Sequence, residues 1–299
     1  PIANTQKHGH DGVPGQRRRF DEPAASPRHH RLPRLEGPGP ARLVALCRQA
    51  RGPAPVRGVA YRTAAGSPKT APRGKIPYVE FSDSSCSSSG DDGEGAGTGA
   101  LGDSGLIIKA LTERGLLADL NARLDGEGRA RDLGVRSLME DRLCFYHGWE
   151  RWTQNYYTMR DHIFGALPYP LRVVIGLLAY RGTVATLHGQ GTGRYSGEEI
   201  AAFRREVWEG VDALLAASRD KARAARGNNE EGEGKEPFWI LGGEGPTEAD
   251  ATVFGFVVSV LICTAGPDSQ KVVKGFPVIL EYAERIQDRY FPDYEKWTL

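Results

Sequence analysis

Residues 74–81 read GKIPYVEF and place a proline directly in front of a run that has the composition of a buried strand. Proline has no amide proton to donate to a β-ladder, so within a sheet it occupies an edge, a strand's first residue or a bulge. One use of such a proline is a cis peptide bond, which turns a backbone carbonyl and amide toward a cleft. We expect the cis form at Pro77, and the alternative is a trans proline on an edge strand.

The segments around this strand predict a small α/β domain at residues 57–116. Residues 59–63 (VAYRT) predict a short strand, and the Ser/Gly/Asp-rich residues 82–99 predict a flexible insertion within a hairpin. The hairpin resumes at residues 100–102 (ALG). The following DSGLIIKALTERG, residues 103–115, has the capping residues and spacing of a helix.

The chain from residue 130 to residue 299 predicts an all-helical domain with a low-complexity loop at 226–236. Apolar side chains recur at three- and four-residue steps through residues 135–157, which is typical of an amphipathic helix. Further helices are predicted within residues 167–193, 196–226, 246–265 and 276–291.

The charge of the chain is concentrated at its N-terminal end. Residues 1–75 hold 15 Lys and Arg against 4 Asp and Glu, although the whole chain has a formal net charge of +1. The folded part therefore has no nucleic-acid signature. Residues 1–56, rich in Pro and Arg, predict a disordered or wrongly assigned leader. An organellar presequence and a basic nucleic-acid tail are the alternatives.

Cysteine and apolar content indicate the compartment. The four cysteines are widely separated and form no C-x-x-C pair, which suits a reducing compartment and predicts a cytoplasmic protein. No stretch approaches the roughly 18–20 apolar residues of a membrane span, so no transmembrane segment is predicted. The longest apolar run, residues 253–265, is interpreted as a buried core helix.

The motif PTEAD at residues 246–250 predicts a strong helix start. Thr247 can cap the amide of Asp250 while the Asp250 side chain reaches back, which satisfies two amides that the helix leaves unpaired. The helix that follows is apolar on nearly every side and must lie inside a helical bundle. A buried helix end has no water to satisfy it, so a strong cap is required there.

The sequence resembles the glutathione S-transferase superfamily, and more closely its failed-axon-connections and metaxin-related branch. The resemblance covers roughly residues 57–299 outside the two low-complexity insertions, and GKIPYVEF and ALGDSGLIIKAL indicate the superfamily. LHGQGTGRYSGEEI and FWILGGEGPTEADATVFGFVVSV indicate the branch. It implies a partial thioredoxin-like N-terminal domain, a glutathione-transferase C-terminal-like helical bundle, and a cleft between them.

The resemblance also implies a binding site for glutathione. Pro77 matches the family's cis-proline, and Ile76 matches the position whose backbone pairs with the cysteinyl part of glutathione. Asp103 and Ser104 match the acidic-Ser pair that holds the γ-glutamyl end. The Thr247 and Asp250 cap matches a structural feature of the family and has no catalytic role.

The sequence departs from the family where the activating residue is expected. The family's catalytic Tyr, Ser or Cys lies near the end of the first strand, but residues 41–55 (ARLVALCRQARGPAP) predict neither a strand nor an unbroken helix. Cys47 is the nearest thiol and is a weak candidate nucleophile, because a thiolate needs a cation or a helix N-terminus beside it. The catalytic residue is therefore left unassigned.

Several motifs have simpler interpretations. Asp103 and Ser104 can serve as a helix cap without any ligand. The glycines of GQGTG (189–193) follow a helix and lack the lysine of a phosphate loop, which favours an ordinary interhelical loop. Cys144 and His147 lie one turn apart without a second ligand pair, so packing is favoured and no metal is expected.

Two functions remain open at this point. The first is an enzyme that binds glutathione and transfers it to an apolar electrophile. The second is a non-catalytic scaffold or interaction protein like the metaxin relatives, with a protein partner or a second copy of the chain and with mitochondrial association as the alternative location.

Overall fold

The computed structural model describes residues 71–74, 78–80, 100–226, 236–292 and 294–298. All of these residues belong to one unit of the chain, Leu35–Leu299. The predicted strand at 59–63, Ile76, Pro77 and Cys47 lie outside the described residues.

A short hairpin leads into the first helix. Strand β1 (Tyr78–Glu80) pairs antiparallel with strand β2 (Ala100–Gly102), and Val79 lies opposite Leu101. This confirms the predicted pairing of the strand after Pro77 with residues 100–102. Helix α1 (Ser104–Glu113) follows directly, as predicted from its cap, and buries Ile107.

Helices make up most of the remaining described chain. In chain order they are α2 (Gly126–Ser137), α3 (Cys144–Trp149), α4 (Tyr156–Phe164), α5 (Tyr169–Gln190), α6 (Gly197–Arg226), α7 (Glu248–Ile262), α8 (Pro267–Lys274) and α9 (Pro277–Tyr290). The predictions for α5, α6, α7 and α9 are confirmed to within a few residues. Helix α8 was missed, because its eight residues are too few for a clear apolar period.

The stretch predicted as one amphipathic helix over residues 135–157 is interrupted twice. Two π-helical segments, Leu138–Leu143 and Glu150–Gln154, lie on either side of α3. A π-helical segment adds a residue to a turn and so rotates the face that the following helix presents. The apolar residues over 135–157 do recur with a helical period, but they belong to several consecutive helical segments rather than to one helix.

Helix α7 lies at the centre of the bundle, as its all-round apolar composition predicted. It contacts α2, α8, α9 and the segment Leu138–Leu143. The core cluster that includes α7 also contains the fully buried Trp208 of α6 and Tyr282 of α9. The other members with no measurable exposure include Met139, Leu143, Ile200, Val211, Leu215, Val253, Val257 and Ile279.

Helix α5 differs from α7 in exposure although both are apolar. Among the described helices, α5 is the one that is long and apolar enough by itself to cross a membrane, with a mean hydropathy of 1.2 over a window that is only 11% buried. Helices α7 and α8 pass the same test as a pair, but they are bent by 120°. The sequence prediction named residues 253–265 as the longest apolar run and did not consider α5, which passes by length and composition only.

Candidate ligand site at the start of helix α1

Asp103 forms the turn between strand β2 and helix α1. Its Oδ1 accepts hydrogen bonds from the amides of Gly105 at 3.1 Å and Leu106 at 3.5 Å, so the side chain is the N-cap of α1. Asp103 is also the one non-glycine residue with positive φ, 83°, in the described part of the chain. Such a conformation is costly for a residue with a side chain and is concentrated at ligand sites.

Ser104 is the first residue of α1 and is half-buried. Within the described ranges neither its amide nor its hydroxyl forms a hydrogen bond, whereas the next two amides are satisfied by Asp103. The N-terminus of a helix carries a partial positive charge and favours an anionic group. Ser104 therefore has two donors that are not used within the described part of the chain.

The helical bundle lies within electrostatic reach of this helix start. Burial raises the pKa of the Glu140 carboxyl, and nearby negative charges, that of Asp103 among them, add to the rise. The hydroxyl of Thr252 bonds to Glu140 at 3.3 Å and acts in the opposite direction. The Asp103 carboxylate at the start of α1 is therefore close enough to the bundle to interact electrostatically with Glu140.

Thr247 and Asp250 lie in the bundle and form a reciprocal capping box at the start of α7. One Asp250 oxygen accepts from the Thr247 amide at 2.8 Å, and the other accepts from the Ile240 amide at 2.7 Å and the Tyr282 hydroxyl at 3.0 Å. Burial raises the pKa of Asp250 to about 6, and these hydrogen bonds counteract part of the rise. The residues act on the fold and lie too deep to touch a ligand.

The start of α7 has two further partners that sequence reasoning missed. Asp132 is fully buried and accepts from the Ala249 amide at 2.8 Å, and Asn121 accepts from the Glu248 amide at 3.1 Å. Asn121 also donates to Asp132 at 2.9 Å. The segment after α1 is therefore tied to the first turn of the central helix.

A buried ion pair was also missed. Glu150 is fully buried and accepts from Arg204 at 2.6 Å and from the Asp268 and Ser269 amides at 2.8 and 3.2 Å. It therefore caps α8 from outside that helix. One signal was present in the sequence, because Glu150 continues the apolar stripe of Met139 and Leu143 at helical spacing.

The Cys144–His147 pair lies in helix α3 of the bundle. His147 is 3% exposed and stacks on Trp208 at a centroid distance of 6.1 Å. Within the described ranges no group of three or more His, Cys, Asp or Glu side chains could hold a metal ion.

Residues 56–159 match the family model of the glutathione S-transferase N-terminal domain. The match supports membership of the glutathione S-transferase superfamily. No solved structure gives a significant match to the chain. The match and the largely helical described residues fit a thioredoxin-like start followed by a helical C-terminal part, as the sequence predicted in coarse form.

The matched range contains both halves of the predicted ligand site. It includes Asp103 and Ser104, which the structure places together at the start of α1. It also includes Ile76 and Pro77, which lie outside the described residues, so their position relative to Ser104 stays a prediction. Cys47 precedes the match and is likewise outside the described residues.

Proposed function

We propose that this glutathione S-transferase-like protein binds glutathione, or a related thiol with a γ-glutamyl end, at the start of helix α1. The observation that carries the proposal is Ser104, whose amide and hydroxyl form no hydrogen bond within the described chain at a helix N-terminus. These donors fit the γ-glutamyl carboxylate. The Asp103 carboxylate, held beside them, fits the ammonium group of the same ligand end.

The proposed chemistry is nucleophilic substitution by the bound thiol on an apolar electrophile. The thiol gives up its proton to solvent water, the thiolate sulfur forms a bond to the electrophilic carbon, and the leaving group departs with the electron pair of the bond that breaks. Binding the thiol in a fixed position accelerates such a reaction through proximity. The backbone of Ile76, beside Pro77, is proposed to hold the cysteinyl part, and the activating residue is unassigned.

Glutathione binding by isothermal titration calorimetry on the full chain tests the site. Saturable binding is expected, with a loss of roughly tenfold or more for Ser104→Ala, which keeps the cap, and for Asp103→Ala. Asp125→Ala is the matched control, because Asp125 caps α2 through Gly128 in the same way but lies outside the proposed site.

Two outcomes would contradict the proposal. If folded wild-type protein binds no glutathione, glutathione is excluded as the ligand of this site. Equal loss of affinity in the Asp103 and Asp125 variants, with Ser104→Ala unchanged, would show that helix capping and not ligand contact governs the measurement.

The second candidate is a non-catalytic interaction protein of the failed-axon-connections and metaxin-like branch. The exposed apolar face of helix α5 favours it, because a contiguous exposed apolar surface marks an interaction site. Turnover with glutathione and an aromatic electrophile separates the two functions. Binding without turnover favours the interaction role, and turnover lost in Ser104→Ala favours the enzyme. A cytoplasmic location, with mitochondrial association as the alternative, belongs to this proposal.

A further inference from the structure

Helix α5 carries a row of exposed apolar side chains that we call the apolar ridge. Leu178 is 63% exposed and Val174 is 57% exposed, although both lie inside a helix of 22 residues. Single exposed apolar residues are normal, but a contiguous row marks an interaction surface. The ridge consists of Tyr169, Leu171, Val174, Leu177 and Leu178.

The ridge faces outward because the opposite side of α5 is fixed by packing. A Cβ on Gly176 would lie 2.6 Å from the Cγ of Arg160, so α5 and α4 approach each other too closely for any side chain there. Tyr180, one turn further along, packs edge-on against Tyr156 at a centroid distance of 5.2 Å. The rotation of α5 about its axis is thus set by its inner face, and the ridge is left exposed.

The chain around the ridge contains no acidic residue. Residues 162–197 hold no Asp or Glu, although the whole chain has 38 of them among 299 residues. The same range contains three arginines, of which Arg181 and Arg194 are exposed, and the exposed His188. In the sequence this range is flanked by Asp161, which forms an ion pair with Arg160 at 2.8 Å, and by Glu198. The charged side chains that α5 itself carries are therefore all basic.

The exposed apolar ridge and the basic side chains of α5 together indicate which kind of partner fits this surface. A second copy of the chain docked ridge to ridge would bring arginines together without a carboxylate between them, and like charges at close range oppose association. An anionic lipid surface satisfies both features, because apolar side chains enter the acyl boundary while arginines meet the headgroups. A membrane-spanning orientation of α5 is disfavoured, because the inner face of this helix is packed against α4 and its Arg160.

We propose that the apolar ridge of helix α5 docks the protein peripherally on an anionic lipid surface. The helix lies in the plane of the interface, with the ridge in the acyl boundary and Arg181 among the headgroups. The proposal is independent of glutathione binding, because the ridge and the start of helix α1 share no residue.

Flotation of the full chain with phosphatidylcholine vesicles, with and without phosphatidylserine, tests the proposal. Binding is expected only with phosphatidylserine, and Leu178→Glu should reduce it by roughly tenfold or more. Leu133→Glu is the matched control, because Leu133 is 55% exposed on helix α2 but has no apolar row around it. Arg181→Glu should weaken binding in low salt by roughly fivefold.

Three results would overturn the proposal. The first is no flotation of folded wild-type protein. The second is flotation that is unchanged in Leu178→Glu, which would assign the affinity to the basic residues 1–75 instead. The third is a dimer in analytical ultracentrifugation that Leu178→Glu dissociates, which would make a second copy of the chain the occupant of the ridge.

Discussion

Replacing Glu150 with alanine should be among the most destabilising single changes in the helical bundle. The side chain is fully buried and is the acceptor for Arg204, which is itself only 4% exposed. Alanine would leave the guanidinium charge buried without its carboxylate. It would also leave the Asp268 and Ser269 amides, at the start of α8, without their acceptor.

The size of the effect follows from burial rather than from the length of the ion pair. Breaking a buried pair by removing one partner costs about 3–5 kcal/mol, because the remaining charge stays desolvated. The chain supplies a matched control in Glu127 and Arg131, which lie 2.5 Å apart, against 2.6 Å in the buried pair, but are each 70% exposed. Glu127→Ala should cost less than about 1 kcal/mol.

Urea denaturation followed by circular dichroism measures both variants against wild type. A double variant, Glu150→Met with Arg204→Met, should recover most of the loss, because an apolar pair of similar volume needs no desolvation of charge. If Glu150→Ala cost no more than Glu127→Ala, the reasoning from burial would be refuted. A double variant as unstable as Glu150→Ala would show that loss of the α8 cap, and not the unpaired Arg204 charge, causes the destabilisation.

Two further predictions concern burial and close packing. Burial raises the pKa of the Asp250 carboxyl in the folded protein to about 6, from an ordinary value of 3.8. The protonated carboxyl therefore contributes to the free energy of unfolding in full below pH 3.8, and this contribution is lost as the pH rises through 6. Urea denaturation at pH 4 and pH 7 should show a loss on the order of 3 kcal/mol in wild type that is absent in Asp250→Asn. Gly176→Ala should destabilise by about 1–3 kcal/mol, because its Cβ meets Arg160 at 2.6 Å. Gly182→Ala on the same helix, with nothing within 4 Å, should instead stabilise by up to about 1 kcal/mol in thermal melts, and equal signs for the two glycines would contradict the packing argument.

Local signals in the sequence were sufficient for much of the fold. Helix α6 begins where Ser196 and Glu199 exchange hydrogen bonds at 2.7 and 3.2 Å, and the S-x-x-E pattern alone predicted that start. Helix α7 was predicted as the buried centre because it has no polar face. Both inferences need only residues that are neighbours in the chain.

What depends on distant partners could not be predicted in the same way. Glu150 finds Arg204 54 positions away, and Asp132 finds the Ala249 amide 117 positions away. A charged residue on an apolar stripe indicates that it has a buried partner but does not identify that partner. The exposure of α5 was missed for the same reason, because composition makes a helix apolar but only tertiary packing decides which face is covered.

The contacts at the start of α7 explain how the candidate ligand site is held. Asn121, in the segment after α1, bonds both to Asp132 in α2 and to the Glu248 amide in α7. The chain that follows the candidate site is thereby fixed to the central helix before α2 begins. A helix with little buried surface of its own, such as α1, gains a defined position from that attachment, which a preorganised binding site requires. If the proposed site binds glutathione, these core contacts act on it through the position of the chain and without touching the ligand.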